Sequence, residues 1–152
     1  MTRGDRREEP VGGTYTLVID LPKPITLDVG ALGPVDLPVG AYAYTGSALG
    51  SGGFSRVDRH RRIDAGEHAV RHWHIDYLLG HPDTRIVDVT KSRGVDIECA
   101  VAGRLPAGPV EGFGASDCGC RSHLASGATL TAVTEQVRRT HRLAAGRSST
   151  HD

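Results

Sequence analysis

The hydrophobic positions change period partway along the chain. TYTLVIDL, residues 14–21, is rich in β-branched and aromatic residues and reads as a strand ended by Pro22 and Pro24. ITLDVG and VDLPVG lie on either side of a turn at Ala31 to Pro34 and read as a small hairpin, and Gly40 leads into a further strand, AYAYTG. Four short strands so close in sequence predict an antiparallel meander. Helical spacing takes over after the Gly-rich stretch GSALGSGG, where Phe54, Val57 and Ile63 carry a weak helix to about Asp64. HWHIDYLL places Trp73, Tyr77 and Leu78 on one side, with Ile75 and Leu79 beside them, and reads as a short helix stopped by Pro82. TRIVDVTKS reads as a strand and VDIECAVAGRL as a helix ended by Pro106. In that helix Val101 and Leu105 follow Glu98 by three and seven places, which sets Glu98 near the boundary of the buried face. PVEGFGASDCGCRSHL is irregular, and a last amphipathic segment runs from about Thr131 to Leu143 with Val133 and Val137 one turn apart. Strands first and helices later predict one compact α/β or α+β domain.

Composition narrows this picture. A chain of 152 residues has one-domain length, and with 38% apolar but only 5% aromatic residues its core must be mostly Val, Leu, Ile and Ala. The polar, charged residues 1–11 read as a disordered arm, residues 12–143 as the domain and residues 144–152 as a frayed tail. No apolar run is long enough to cross a membrane, and MTRGDRREEP has no apolar segment behind it to make a signal peptide. Three cysteines, two of them one residue apart, form a poor disulfide framework and suit a reducing cytoplasm. Zero formal net charge argues against coating nucleic acid by bulk charge, yet Arg56, Arg59, Arg61, Arg62 and Arg71 fall close together.

That cluster belongs to the stretch from Tyr42 to Arg62, in which a strand feeds a Gly-rich turn and the turn an arginine-rich helix start. Free backbone N–H groups beside arginines suit a phosphate-bearing partner, and an ordinary connection followed by a solvated basic helix is the plainer reading. The chemistry-bearing set is Tyr15, Tyr44, Arg56, His60 and Glu98. If their strands pair, the two phenols could meet over one sheet surface with Arg56 leaning over them. The single carboxylate of Glu98 could hold one magnesium ion whose shell water and substrate oxygens complete. Such a set meets the needs of phosphodiester hydrolysis: an activated nucleophile, an arginine for developing charge and a metal at the leaving oxygen. Half-buried structural tyrosines are the alternative.

At these residues the sequence resembles a known family. GTY at Gly13 to Tyr15 and YTG at Tyr44 to Gly46 resemble the two defining tripeptides of the GIY-YIG nuclease superfamily. More closely, YTGSALGSGG, RVDRH, HWHIDYLL and FGASDCGCRSHL, in this order, resemble the Uri-type GIY-YIG endonucleases, also called the DUF123 family. The resemblance implies a small mixed or antiparallel sheet flanked by helices, and cleavage of DNA phosphodiesters with Mg2+ or Mn2+. It implies Tyr15 and Tyr44 as the motif tyrosines, Arg56 as the phosphate arginine, Glu98 as the metal ligand, and His60 as general base or phosphate contact. Gly46, Ser47, Arg59 and His74 are the expected substrate contacts. The chain departs from the superfamily pattern in its Thr14, in the hairpin inserted between the tripeptides, and in the longer spacing from Gly46 to Arg56, which leaves Arg59 as a rival for the working arginine.

Two further groupings stand apart. In HWHIDY, His72 and Asp76 are four apart and could pair as an oriented base or brace the helix against the sheet. In SDCGCRSHL, Asp117, Cys118, Cys120 and His123 could hold zinc, but C-x-C-x-x-H is not the paired spacing of common zinc modules, and buried structural cysteines are the favoured reading. Two readings from other classes therefore accompany the endonuclease: a non-catalytic nucleic-acid-binding accessory protein with the same fold, and a zinc-dependent hydrolase built on the cysteine–histidine segment.

Overall fold

The computed structural model describes residues 12–29, 33–48, 52–67, 74–105, 124–127 and 129–149. In chain order the elements are β1 (Gly13–Leu21), β2 (Ile25–Asp28), β3 (Pro34–Leu37), β4 (Gly40–Ser47), α1 (Ser55–Asp64), α2 (His74–Leu79), β5 (Arg85–Arg93), α3 (Glu98–Arg104), β6 (Leu124–Gly127) and α4 (Leu130–Ser149). They form a mixed α+β domain with a four-stranded sheet in the order β5-β1-β4-β6 and a separate two-stranded sheet of β2 and β3. Every strand pairing is antiparallel.

The expected meander is corrected. β1 pairs with β4, and the β2–β3 hairpin is an excursion between two central neighbours. Burial explains the choice. β1 and β4 are buried along nearly their whole length, as strands covered on both faces must be. β2 and β3 alternate buried and exposed positions, which suits a surface ribbon with one apolar face. Thr26 and Asp36 sit directly opposite on the outer face, joined by a 2.7 Å hydrogen bond.

The register Tyr15↔Gly46, Thr16↔Thr45, Leu17↔Tyr44 sorts side chains between the two faces. Tyr15, Leu17, Ile19, Tyr42 and Tyr44 share one core with the hairpin's Ile25, Leu27, Val35 and Leu37, with Val57 and Ile63 of α1, and with Ile75, Leu78 and Leu79 of α2. On the other face Val18, Ala41 and Ala43 pack with Val101 of α3, with Leu105 just after it, and with Val133, Val137 and Ala144 of α4. This second face also carries a buried polar group. His141 Nε2 bonds the Thr16 hydroxyl at 2.7 Å and its Nδ1 bonds the Ser92 hydroxyl at 2.8 Å, while Thr16 also reaches Thr45 at 2.9 Å.

Two boundaries differ from the sequence expectation. β6, LASG, has no β-branched or aromatic residue to mark it as a strand; pairing with β4 makes it one. α4 continues to Ser149, past the expected end at Leu143, because Ala144 extends its buried stripe. The expected arm at residues 1–11 lies outside the described residues, and among the described residues no helix is long and apolar enough to cross a membrane.

Candidate active site

The site grows out of the β1–β4 pair. The ends of the two strands are clasped by hydrogen bonds between Gly13 and Ala48, N to O at 3.3 Å in one direction and 2.7 Å in the other. Close approach here needs glycine: a Cβ on Gly12 would stand 2.0 Å from the Ala48 carbonyl oxygen. Gly53, at φ +56°, turns the chain from β4 into α1.

α1 buries Val57, His60 and Ile63, three residues apart on one stripe. That spacing carries an imidazole into the tyrosine face. His60 is fully buried, and its Nε2 lies 2.6 Å from the Tyr15 hydroxyl. The Tyr44 ring completes a triangle, with centroids 6.5 Å from Tyr15 and 6.2 Å from His60. Arg56, four residues before His60 and so on the same side of the helix, donates from Nη1 to the Ser47 carbonyl.

Electrostatics tie the group together. Burial raises the Tyr15 phenol well above its ordinary pKa; the neighbouring Tyr44 and Glu98 raise it further, while Arg56 acts against them as a nearby cation and hydrogen-bond donor. Tyr44 is raised mainly by burial, then by Glu98, with Arg56 again opposing. His60 is pushed down to about 4, chiefly by burial and by the cations Arg59 and Arg56, against an upward pull from Asp76. Both phenols are therefore protonated and the imidazole neutral near pH 7. The Tyr15 hydroxyl donates to Nε2 when the ring proton is on Nδ1 and accepts from Nε2 in the other tautomer.

Glu98 reaches this group from the helix on the opposite face of the sheet, around the end of β1 that carries Thr14. The Thr14 hydroxyl donates to the Val95 carbonyl at 2.9 Å and accepts the Ile97 N–H at 3.0 Å. These bonds pin the β5–α3 connection just before Glu98, which is half-buried in the first turn of α3. Among the described residues no three His, Cys, Asp or Glu side chains cluster as a metal site. A cation at the phenols would rest on the Glu98 carboxylate, with water and substrate oxygens filling its remaining positions, and that oxygen-only shell fits magnesium.

Arg59 has a different surrounding. Its Nη1 and Nη2 donate to the two carboxylate oxygens of Asp76 at 3.0 and 2.9 Å, and Asp76 has no exposed surface. The fork bolts α1 to α2, while the expected pairing of Asp76 with His72 falls on a residue outside the described ones. Arg56, Arg59 and Arg62 line a cleft of about 320 Å³ whose wall includes Gly52, Gly53 and Ser55. Gly46 lies under the Tyr15 ring, Ser47 contributes its carbonyl to Arg56, and His74 opens the helix that supplies Asp76.

Tyr15, Tyr44, Arg56, His60 and Glu98 are thus brought together from four elements. His72, Asp117, Cys118, Cys120 and His123 lie outside the described residues. Sequence reasoning missed Lys91, which stands opposite Tyr15 in the β1–β5 register with its Nζ 5.1 Å from the centre of the Phe54 ring. Strand alternation from the partner register was the missing signal. His141 was also missed, although it falls four residues after Val137 on the apolar stripe of α4.

The family model described as "Domain of unknown function DUF123" matches residues 14–145. No curated protein and no solved structure matches the chain.

Proposed function

The chain belongs to the DUF123 family, and from that membership and the geometry around Tyr15 we propose that it is a metal-dependent endonuclease of the GIY-YIG, Uri-type class that hydrolyses DNA phosphodiester bonds. The observation that carries the reading is the 2.6 Å bond between Tyr15 and a neutral, buried His60, with Tyr44, Arg56 and Glu98 around the same phenol.

In this reading a water molecule attacks phosphorus as the bond to the leaving deoxyribose oxygen breaks. The phenol oxygen of Tyr15 takes a proton from the water while its own proton passes to His60 Nε2. The neutral imidazole has the lone pair this step needs, and the burial and arginines that keep it neutral raise the cost of charging it. Arg56, held by the Ser47 carbonyl at the cleft mouth, offers its guanidinium to the equatorial oxygens of the phosphate. Glu98 would hold the divalent cation, Mg2+ or Mn2+, which when bound neutralises charge on the leaving oxygen. Arg59 steadies the cleft through Asp76.

One observation favours a second reading. Tyr15 is only 1% exposed, as a purely structural tyrosine would be in a non-catalytic nucleic-acid-binding protein of the same fold. Cleavage of a mixed panel of labelled DNA and RNA by the wild type, Tyr15→Phe and Glu98→Ala separates the two, each run with magnesium, with manganese and with chelator. Folding of each variant is checked by circular dichroism. Metal-dependent cuts lost in both folded variants support the nuclease. Salt-sensitive binding equal in all three proteins, with no cleavage of any substrate, supports the accessory protein.

A further inference from the structure

The proposed reaction takes one arginine, Arg56, from a cleft lined by three. Arg59 is engaged elsewhere, with Nη1 and Nη2 both donating to the buried Asp76 carboxylate. Arg62 is left over. It is exposed, it lines the cleft, and its guanidinium has no ion-pair partner among the described residues.

Helix geometry groups Arg62 with Ser55. Positions 55, 59 and 62 stand at i, i+4 and i+7 of α1, which is one side of the helix. Arg56 is turned about 100° from Ser55, towards β4, where it donates to the Ser47 carbonyl. Long side chains on a helix lean towards its N-terminus, so Arg62 leans back along the stripe towards Ser55. The Ser55 hydroxyl faces the opposite wall of the cleft: a Cβ on Gly52 would stand 2.8 Å from its Oγ. Among the described residues no carboxylate lines the cleft, and Asp58, one turn before Arg62, is exposed outside it. The cleft therefore offers a guanidinium and a hydroxyl donor beside Arg56, with no acid in its lining to neutralise them.

We propose that Ser55 and Arg62 hold a second phosphate of the substrate backbone, next to the scissile phosphate at Arg56. The inference rests on the nuclease reading for the phosphate at Arg56 and adds a requirement on the substrate. The polymer must continue past the bond that is cut, along the outer side of α1, and a molecule with a single phosphodiester would leave the second position empty. Arginine suits that position because its planar fork matches a pair of phosphate oxygens. Contacts of this kind fix the register of a backbone without reading its bases.

The test is binding of a labelled DNA duplex over a range of salt, with chelator present, by the wild type, Arg62→Ala and the control Arg61→Ala. Arg61 is exposed on the same helix but does not line the cleft, so its loss removes the same charge without the contact. One lost phosphate contact lowers the slope of log affinity against log salt by about 1. Arg62→Ala is expected to show that drop, together with weaker binding, and Arg61→Ala to bind as the wild type does. Duplexes with one phosphate at a time replaced by an uncharged methylphosphonate then locate the contact: one position should weaken binding by the wild type and leave Arg62→Ala unchanged. Equal binding by all three proteins, an equal drop in both variants, or no such position overturns the second phosphate site. Metal-dependent cleavage that Glu98→Ala still abolishes would then leave the nuclease reading standing. The Arg62 drop and a located contact, in a wild type that cuts no substrate, keep the phosphate site and remove the nuclease. A wild type that neither binds nor cuts nucleic acid removes both proposals.

Discussion

The hydroxyl oxygen of Tyr15 lies over Gly46 so closely that a Cβ on that glycine would stand 2.5 Å from it. The two residues are register partners on β1 and β4, so the glycine of the second tripeptide is the floor on which the tyrosine of the first one rests. Gly46→Ala must therefore push the phenol away from His60. The expected cost is about 1–3 kcal/mol of overpacking, read by urea unfolding, with loss of cleavage in a protein that still folds. Wild-type stability and activity in Gly46→Ala would show that the phenol has room to move and that its position does not matter.

Tyr15→Phe tests the hydroxyl without the steric change. It takes from a buried imidazole nitrogen the group 2.6 Å away. Leaving that nitrogen unsatisfied costs about 1–3 kcal/mol. Losing a proton relay typically costs about 10²–10⁴ in rate. Stability is read by urea unfolding and activity by single-turnover cleavage. A loss of stability with unchanged cleavage would make the pair structural.

Arg56 and Arg59 separate by what each touches. Arg59→Met removes the bidentate partner of a carboxylate with no exposed surface, and breaking such a buried pair costs about 3–5 kcal/mol. Arg56 is half-buried at the cleft, donating to the Ser47 carbonyl and acting on the Tyr15 phenol as a hydrogen-bond donor. Arg56→Ala is expected to unfold close to the wild-type midpoint while losing about 10²–10³ in cleavage rate. Denaturation midpoints beside cleavage rates decide the matter. The opposite pattern, with Arg59→Met stable and inactive, would reverse the roles.

The sequence shows these roles unevenly, for physical reasons. The ITLDVG–VDLPVG hairpin was legible from its turn, but that TYTLVIDL and AYAYTG are central neighbours and the hairpin a surface ribbon shows only in the burial. Chain proximity suggested a meander instead because strand order is a long-range property. Tyr15, Tyr44, Arg56 and Glu98 were legible as a set because two tripeptides, a basic helix and a carboxylate at a helix boundary are local patterns. The Arg59–Asp76 fork spans seventeen residues and two helices, and no local pattern announces it. His141 continues the Val133–Val137 stripe, but its polar role depends on Thr16 and Ser92 of the opposing strands, which are far away in sequence.

His60 and His141 make stability depend on pH. Burial leads the lowering of both, to about 4 in each case, from an unfolded value near 6.5. Between those values the unfolded chain binds more protons than the folded one, so stability rises with pH. Their contribution is complete above about pH 6.5 and is lost as pH falls towards about 4, by about 2–3 kcal/mol for each histidine. Asp64, whose carboxyl is raised by burial, works in the opposite sense and offsets part of the loss as it protonates. Urea unfolding from neutral to mildly acid pH should show the midpoint falling through this window. His141→Gln keeps an amide that can hydrogen-bond to Thr16 and Ser92 but cannot titrate, so it should remove about half of the slope while leaving His60 and the cleavage site as they are. An unchanged slope in that variant would mean that His141 already opens to solvent and is charged in the folded protein. The Thr16–His141–Ser92 bonds would then not be what holds α4 to the sheet.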